Sequence, residues 1–166
     1  YIIAEWISDN AYYRKSVRQF TYHNGIITSK KKKNAEDVNK VYEMYYDYKE
    51  AVKYVKPHRI LAINRGEKEK ILTVNIEVDK DKIISYLEGK IIKDEKSKAT
   101  PVVKMAILDS YKRLIQPSIE REIRSELSEK AEEVAIDNFG KNLEALLLTP
   151  PMKEQIVLAF DPGYVN

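Results

Sequence analysis

Residues 117–148, PSIEREIRSELSEKAEEVAIDNFGKNLEALLL, carry the longest unbroken pattern in the chain. Ile119, Ile123, Leu127, Ala131, Val134, Phe139, Leu143 and Leu146 recur every three to five positions, the spacing of one helical face. Pro117 suits a first helical turn, where its missing N–H costs nothing, and Pro150-Pro151 closes the pattern. The opposite face offers Glu120–Arg124 and Glu126–Lys130, pairs four apart that each add a few tenths of a kcal/mol. A helix over 117–148 runs about 48 Å at ~1.5 Å per residue. A compact domain of this size has a radius of gyration of about 15 Å, so such a helix crosses the body or projects from it. Gly140 costs roughly 1 kcal/mol relative to Ala and marks a candidate bend.

Working outward, the rest of the chain reads as shorter elements. Residues 1–8 form a helix end, and Asp9 or Asn10 caps a second helix over 11–22 before the stop signal His23-Asn24-Gly25. GIITSKKKK, from Gly25, is a short strand fraying into a basic loop. Residues 35–55 are expected to hold two short helices with a break near Asp47-Tyr48. Pro57 opens a helix ending near Gly66. KILTVNIEV, residues 70–78, alternates with Leu72, Val74, Ile76 and Val78 on a wholly apolar face, and its expected partner is the Ile26 strand. A two-stranded ribbon is not stable alone, so helices must cover it. Residues 81–92 form another helix; Thr100 as cap and Pro101 as first helical residue start a further one with face Val103, Ile107, Tyr111 and Leu114. The expected fold is mainly α with a small antiparallel β-ribbon (α+β): a helical scaffold over 1–153, then an isolated strand, Gln155–Phe160, opening a separate unit over 154–166.

Bulk properties narrow the function. A chain of 166 residues can bury a real core. Apolar residues are 43% and charged residues 33% of the total, and no run is long enough to span a membrane. The absence of Cys excludes disulfides and thiolate metal sites, and together with the lack of a signal peptide favours the cytoplasm. A net charge of +3 permits nucleic-acid binding without demanding it. The chain starts inside an apolar pattern without Met and ends just after a new strand, and is read as a piece of a longer polypeptide.

Several groups are candidates for chemistry. Lys30, Lys31, Lys32 and Lys33 can meet phosphates, although a solvated strand end that blunts edge pairing is the plainer reading. The 12 tyrosines, with Tyr42, Tyr45, Tyr46, Tyr48 and Tyr54 in one stretch, can stack on bases, but at helical spacing they pack helices. PHRILAINRGEKE gathers His58, Arg59 and Arg65 without a nucleophile or paired carboxylate, which argues against an enzyme. His23 and His58 are too isolated to hold a metal. Asp161, at the end of the last strand, is a catalytic candidate, but one carboxylate cannot build a two-metal site. No cofactor is expected.

HRILAINRGEKE, DSYKRLIQPSIEREIRSELSEKAEEVAIDNFGKNLEALLL and PPMKEQIVLAFDPGY resemble the bacterial Tex family of transcription accessory proteins, and EWISDN, GIITSKKKK and YYDYKEAV agree in order. The resemblance covers essentially the whole chain. It implies an elongated, mostly helical nucleic-acid-binding protein with a YqgF-type RNase H-like domain, helix-hairpin-helix elements and a C-terminal OB-fold (S1) domain. This chain would then be the central helical scaffold, with Asp161 opening the YqgF-type domain. The resemblance implies RNA or DNA as partner of the full-length protein and does not establish catalysis, so no enzymatic activity is assigned; Lys30–Lys33, Arg59 and Arg65 are this chain's candidate nucleic-acid contacts. Two other readings stay open: a nuclease or resolvase using Asp161 as metal ligand, and a module that docks on the transcription machinery through exposed tyrosines.

Overall fold

The computed structural model describes residues 1–150, 153, 156, 158–161 and 163. Helix α1 spans Ile2–Asp9 and α2 spans Ala11–Asn24. Between them Asn10 Oδ1 accepts the free N–H groups of Tyr12 (3.0 Å) and Tyr13 (3.1 Å), as a short polar side chain does at a helix start. Three strands follow among the described residues: β1 (Ile26–Lys31), β2 (Asp47–Ala51) and β3 (Leu72–Glu77). They form one antiparallel sheet in the order β2-β1-β3, so the expected β1–β3 ribbon gains a third strand. Ser29 lies opposite both Tyr48 and Val74. The period of two puts Ile27, Ser29, Leu72, Val74 and Ile76 on the buried face and Lys30, Lys49, Thr73 and Asn75 on the open one.

The two helices expected over 35–55 are not there. A 3₁₀ turn (Glu43–Tyr45), β2 and a second 3₁₀ turn (Val52–Tyr54) occupy the stretch. Tyr46, Tyr48, Glu50 and Val52 fall at every second position, a pattern that fits a strand as well as a helix when the apolar run is short. The free ladder of β1 decides between them: Lys31 N–H donates to Tyr46 O (3.1 Å) and Val52 N–H to Gly25 O (2.9 Å) at the two ends of the pairing.

Helix α3 (Pro57–Lys68) covers the sheet, and α4 (Lys80–Ile91) follows β3, its first turn capped by Asp79 on Lys82 N–H (3.3 Å). Helix α5 (Thr100–Asp109) passes through a π-helical segment (Ser110–Ile115) into α6 (Gln116–Leu147) without leaving helical backbone. The long helix is thus where it was expected, but Pro117 does not start it. Proline has no N–H and its ring crowds the carbonyl four residues back. The widened turn before it, in which Gln116 N–H reaches Tyr111 O, supplies the room. The extra residue in that turn also moves the buried face: Ile107, Tyr111 and Ile115 are buried, where Leu114 was expected. Thr100 is not the cap of α5 either. Ala99 holds that position, and the Thr100 hydroxyl is buried and donates to Asp94 O at 2.8 Å.

The core runs down α6. Ile119, Ile123 and Ala131 are buried against α2, α3 and the sheet, each Ile contributing roughly 1.5–3 kcal/mol. Polar clasps fix its rotation. Arg14 donates to Ser118 Oγ (2.7 Å), Arg18 reaches Glu122 (2.6 Å) and Glu126, and Asn64 donates to Ser128 Oγ (2.7 Å). Of the two intrahelical pairs expected, Lys130–Glu126 forms at 2.6 Å. The other gives way to longer-range partners: Arg124 turns to Glu67, and Glu120 Oε1 accepts Ile76 N–H of β3 at 2.9 Å. Beyond Ala131 the helix continues through Gly140 with exposed residues, among them Phe139 and Leu146, so about 24 Å of it lies past the core at ~1.5 Å per residue. The strand expected at Gln155–Phe160 and the unit expected over 154–166 fall where residues 151, 152, 154, 155, 157, 162 and 164–166 lie outside the described ones.

Candidate nucleic-acid interface

The basic run is placed by two backbone links. β1 leaves the sheet at Lys31, and Lys32 N–H donates to Ile71 O at 2.9 Å, which sets the run beside the turn from α3 to β3. That turn closes with Lys70 N–H on Glu67 O and Ile71 N–H on Gly66 O, both 2.9 Å. It needs Lys70 in the left-handed region, φ +62°. Gly66 makes the approach possible, since a Cβ there would lie 2.6 Å from the Leu72 side chain and 3.0 Å from the Tyr42 ring. Lys30–Lys33, Arg65, Lys68 and Lys70 are all exposed, and all belong to segments that meet at this end of the sheet. None of the seven makes an ion pair among the described residues.

The carboxylates nearby are largely engaged. Asp37 accepts the N–H groups of Val41 (3.0 Å) and Tyr42 (2.9 Å) and the Tyr46 hydroxyl (2.9 Å). Burial would raise its pKa, but the hydrogen bonds from Tyr42 N–H and Tyr46, with Lys31 close by, outweigh it and hold the carboxyl below its usual range. The Lys31 ammonium lies 4.6 Å from the centre of the Tyr46 ring, a cation–π distance. Glu67 is taken by Arg124, and Glu69 faces the Tyr42 phenol. Asp47 stands opposite Lys30 in the sheet, which makes Lys30 the least available of the run, and Glu36 is exposed.

Arg59 is elsewhere and otherwise occupied. Its Nη1 lies 2.8 Å from Glu50 Oε1, and Glu50 also accepts the Tyr48 hydroxyl, so the three tie β2 to α3. Burial first, then the hydrogen bond to Glu50, pushes the Tyr48 phenol up to about 12. Among the tyrosines, Tyr42 is buried, Tyr45, Tyr46 and Tyr48 are half-buried, and the Tyr45 and Tyr48 rings meet edge to face at 5.4 Å. They pack the protein rather than offer a docking face. Asp161 Oδ1 accepts Gly163 N–H at 2.9 Å, and no group of three His, Asp or Glu side chains suited to a metal occurs among the described residues. Lys68 and Lys70 went unnoticed in the sequence because the alternation Glu67-Lys68-Glu69-Lys70 sums to zero charge; the β1–β3 pairing was the signal that placed them beside Lys32.

Fold and site together describe an α+β scaffold: helices around a three-stranded sheet, a long helix leaving the core, and one open cationic end. The chain belongs to the Tex central region-like family, whose model matches residues 1–139. It is 54% identical over 165 residues to the uncharacterized protein YdcI of Bacillus subtilis (strain 168), covering 99% of this chain and 23% of that protein. It is 35% identical over 142 residues to the S1 RNA-binding domain-containing protein 1 of Homo sapiens, covering 82% of this chain and 14% of the relative. Identity to Protein tex of Bordetella pertussis is 27% over 176 residues, 98% of this chain and 22% of that one. The chain thus spans less than a quarter of the length of these relatives. No helix among the described residues is long and apolar enough to cross a membrane.

Proposed function

We propose that this chain is the non-catalytic helical scaffold of a nucleic-acid-handling transcription accessory protein. It holds RNA- or DNA-binding parts at a fixed separation in the cytoplasm, and adds weak phosphate contacts through Lys30–Lys33 and Arg65. In this reading Arg59 serves β2–α3 packing. The observation that carries it is α6: one unbroken helix, clasped by α2 and α3 over its first half and exposed over its second. A rod anchored at one end transmits position without needing a pocket. The names of two relatives, S1 RNA-binding domain-containing protein 1 and Transcriptional accessory protein Tex, support the nucleic-acid context.

A filter-binding titration of the chain against single-stranded RNA and DNA tests the reading. Contact with about four phosphates gives weak binding that loses roughly a hundredfold in affinity between about 50 and about 200 mM salt. Tight binding that ignores salt would mean a dedicated recognition surface and would defeat the spacer role.

A further inference from the structure

We infer that the end of the sheet formed by the β1 exit and the α3–β3 turn is a site for the phosphate backbone of duplex nucleic acid, with Lys68 and Lys70 completing it. The inference rests on the phosphate contacts proposed above and adds both residues and ligand class. Charge run alone would not carry it, since lysines at a strand end are commonly solvated. Three structural facts do. The Lys32–Ile71 hydrogen bond joins two segments that are distant in sequence into one cationic rim. The seven cations there make no ion pair among the described residues, while Asp37 and Glu67 beside them are bound to other groups. The loop Lys93–Lys98 has three exposed lysines too, but Asp94 and Glu95 lie between them and offset two of the three charges, so it is a contrast of similar lysine content and low net charge.

The ligand class follows from what the rim lacks among the described residues. Single strands are held by base stacking on aromatic side chains beside a cationic track. Here the Tyr46 ring is half-buried with Lys31 over it, Tyr42 is buried, and the open face of the sheet carries Lys30, Lys49, Thr73 and Asn75. The exposed Tyr54 lies past the opposite end of β2. Point charges without a stacking surface read the regular phosphate spacing of a duplex, independent of sequence.

Fluorescence anisotropy with labelled duplexes of about 20 base pairs, in DNA and in RNA, and with one constituent strand of each, tests this on the 166-residue chain. The chain is expected to bind either duplex more tightly than its strand, with log affinity falling against log salt at a slope of about −4 or steeper. K68Q/K70Q should lower duplex affinity at least fivefold at low salt and flatten the slope by about 1.8, since each lost phosphate contact removes ~0.9. K93Q/K96Q/K98Q, which removes more charge, should stay within about twofold of the parent, as expected where no phosphate is contacted. Circular dichroism confirms that each variant is folded, and the slope of the unmodified chain tests the site without any variant. Tighter binding of the single strand, tighter binding of a labelled poly-glutamate peptide, or a K68Q/K70Q variant no weaker than the control overturns the duplex site. If K31Q/K32Q/K33Q still weakens binding in that last case, the simpler phosphate contacts stand alone. If it too matches the control, both readings fall.

Discussion

Tyr111 lies in the π-helical turn with its ring buried and its hydroxyl without a hydrogen-bond partner among the described residues, next to a void of about 10 Å³ between α2, β3 and α6. A hydroxyl taken from water and left unpaired costs about 1–3 kcal/mol, so Tyr111→Phe is expected to stabilise the fold by about 1 kcal/mol in urea unfolding. The same burial pushes this phenol up to about 12, as burial and Glu50 do for Tyr48. Between pH 10 and 12 the unfolded chain releases protons that the folded chain keeps. Their stabilising effect is therefore complete below pH 10 and disappears as pH climbs through 12. A pH series of unfolding midpoints should fall over that window, and Tyr111→Phe and Tyr48→Phe should each flatten the fall. Gly25 fails in the opposite direction. Its φ of −73° suits any residue, but a Cβ would sit 2.3 Å from the Thr21 carbonyl, which is backbone and cannot step aside. Gly25→Ala should lose about 1–3 kcal/mol, as overpacked sites do.

At the scale of elements, the readable ones were those with one dominant period. Helix α6 has apolar positions four apart over several turns, and β3 alternates without exception, so both were placed within two residues of their ends. β2 was misread because five residues are too few to separate periods of two and 3.6, and because its partner, β1, is far away in sequence. The π-helical turn was hidden by Pro117, which locally looks like a helix start; only the buried Ile115 and Ile119 on either side show that the helix passes through. β3 also reveals a device no pattern announces. Its outer edge pairs with no strand among the described residues, and the Glu120 carboxylate from α6 accepts the Ile76 N–H there. Glu120→Ala should cost about 1.5–3 kcal/mol, the value of a hydrogen bond to a charged group. It should also expose an edge prone to pairing with other chains, seen as light scattering that rises with concentration, whereas Glu120→Gln, which can still accept through its amide oxygen, should stay clear.

Over the whole molecule, the division between core and rod decides which residues carry stability. The candidate site was half legible: Lys30–Lys33 stand out as a run, but their neighbours Lys68 and Lys70 enter only through the sheet, and Arg59 looked free until Glu50 and Tyr48 closed on it. The end of the core was less legible, because the apolar repeat of α6 continues past it. Ile123 and Ala131 are fully enclosed, whereas Phe139 is 68% and Leu146 70% exposed on what the sequence presents as the same face. Val134, Ala135 and Asn138 still line a shallow pocket with Pro57, His58 and Leu61 of α3, so contact with the body ends near 138. A chain terminated after Asn138 should therefore unfold within about 0.5 kcal/mol of the parent, like a change at surface positions away from the core. Ile123→Ala in the same chain should lose about 2–5 kcal/mol, the range for emptying a packed core site. Loss of half the stability on truncation would show that the rod's exposed apolar residues fold back onto the body. Retention would mean that they are spare surface, present for contacts other than those that hold this fold together.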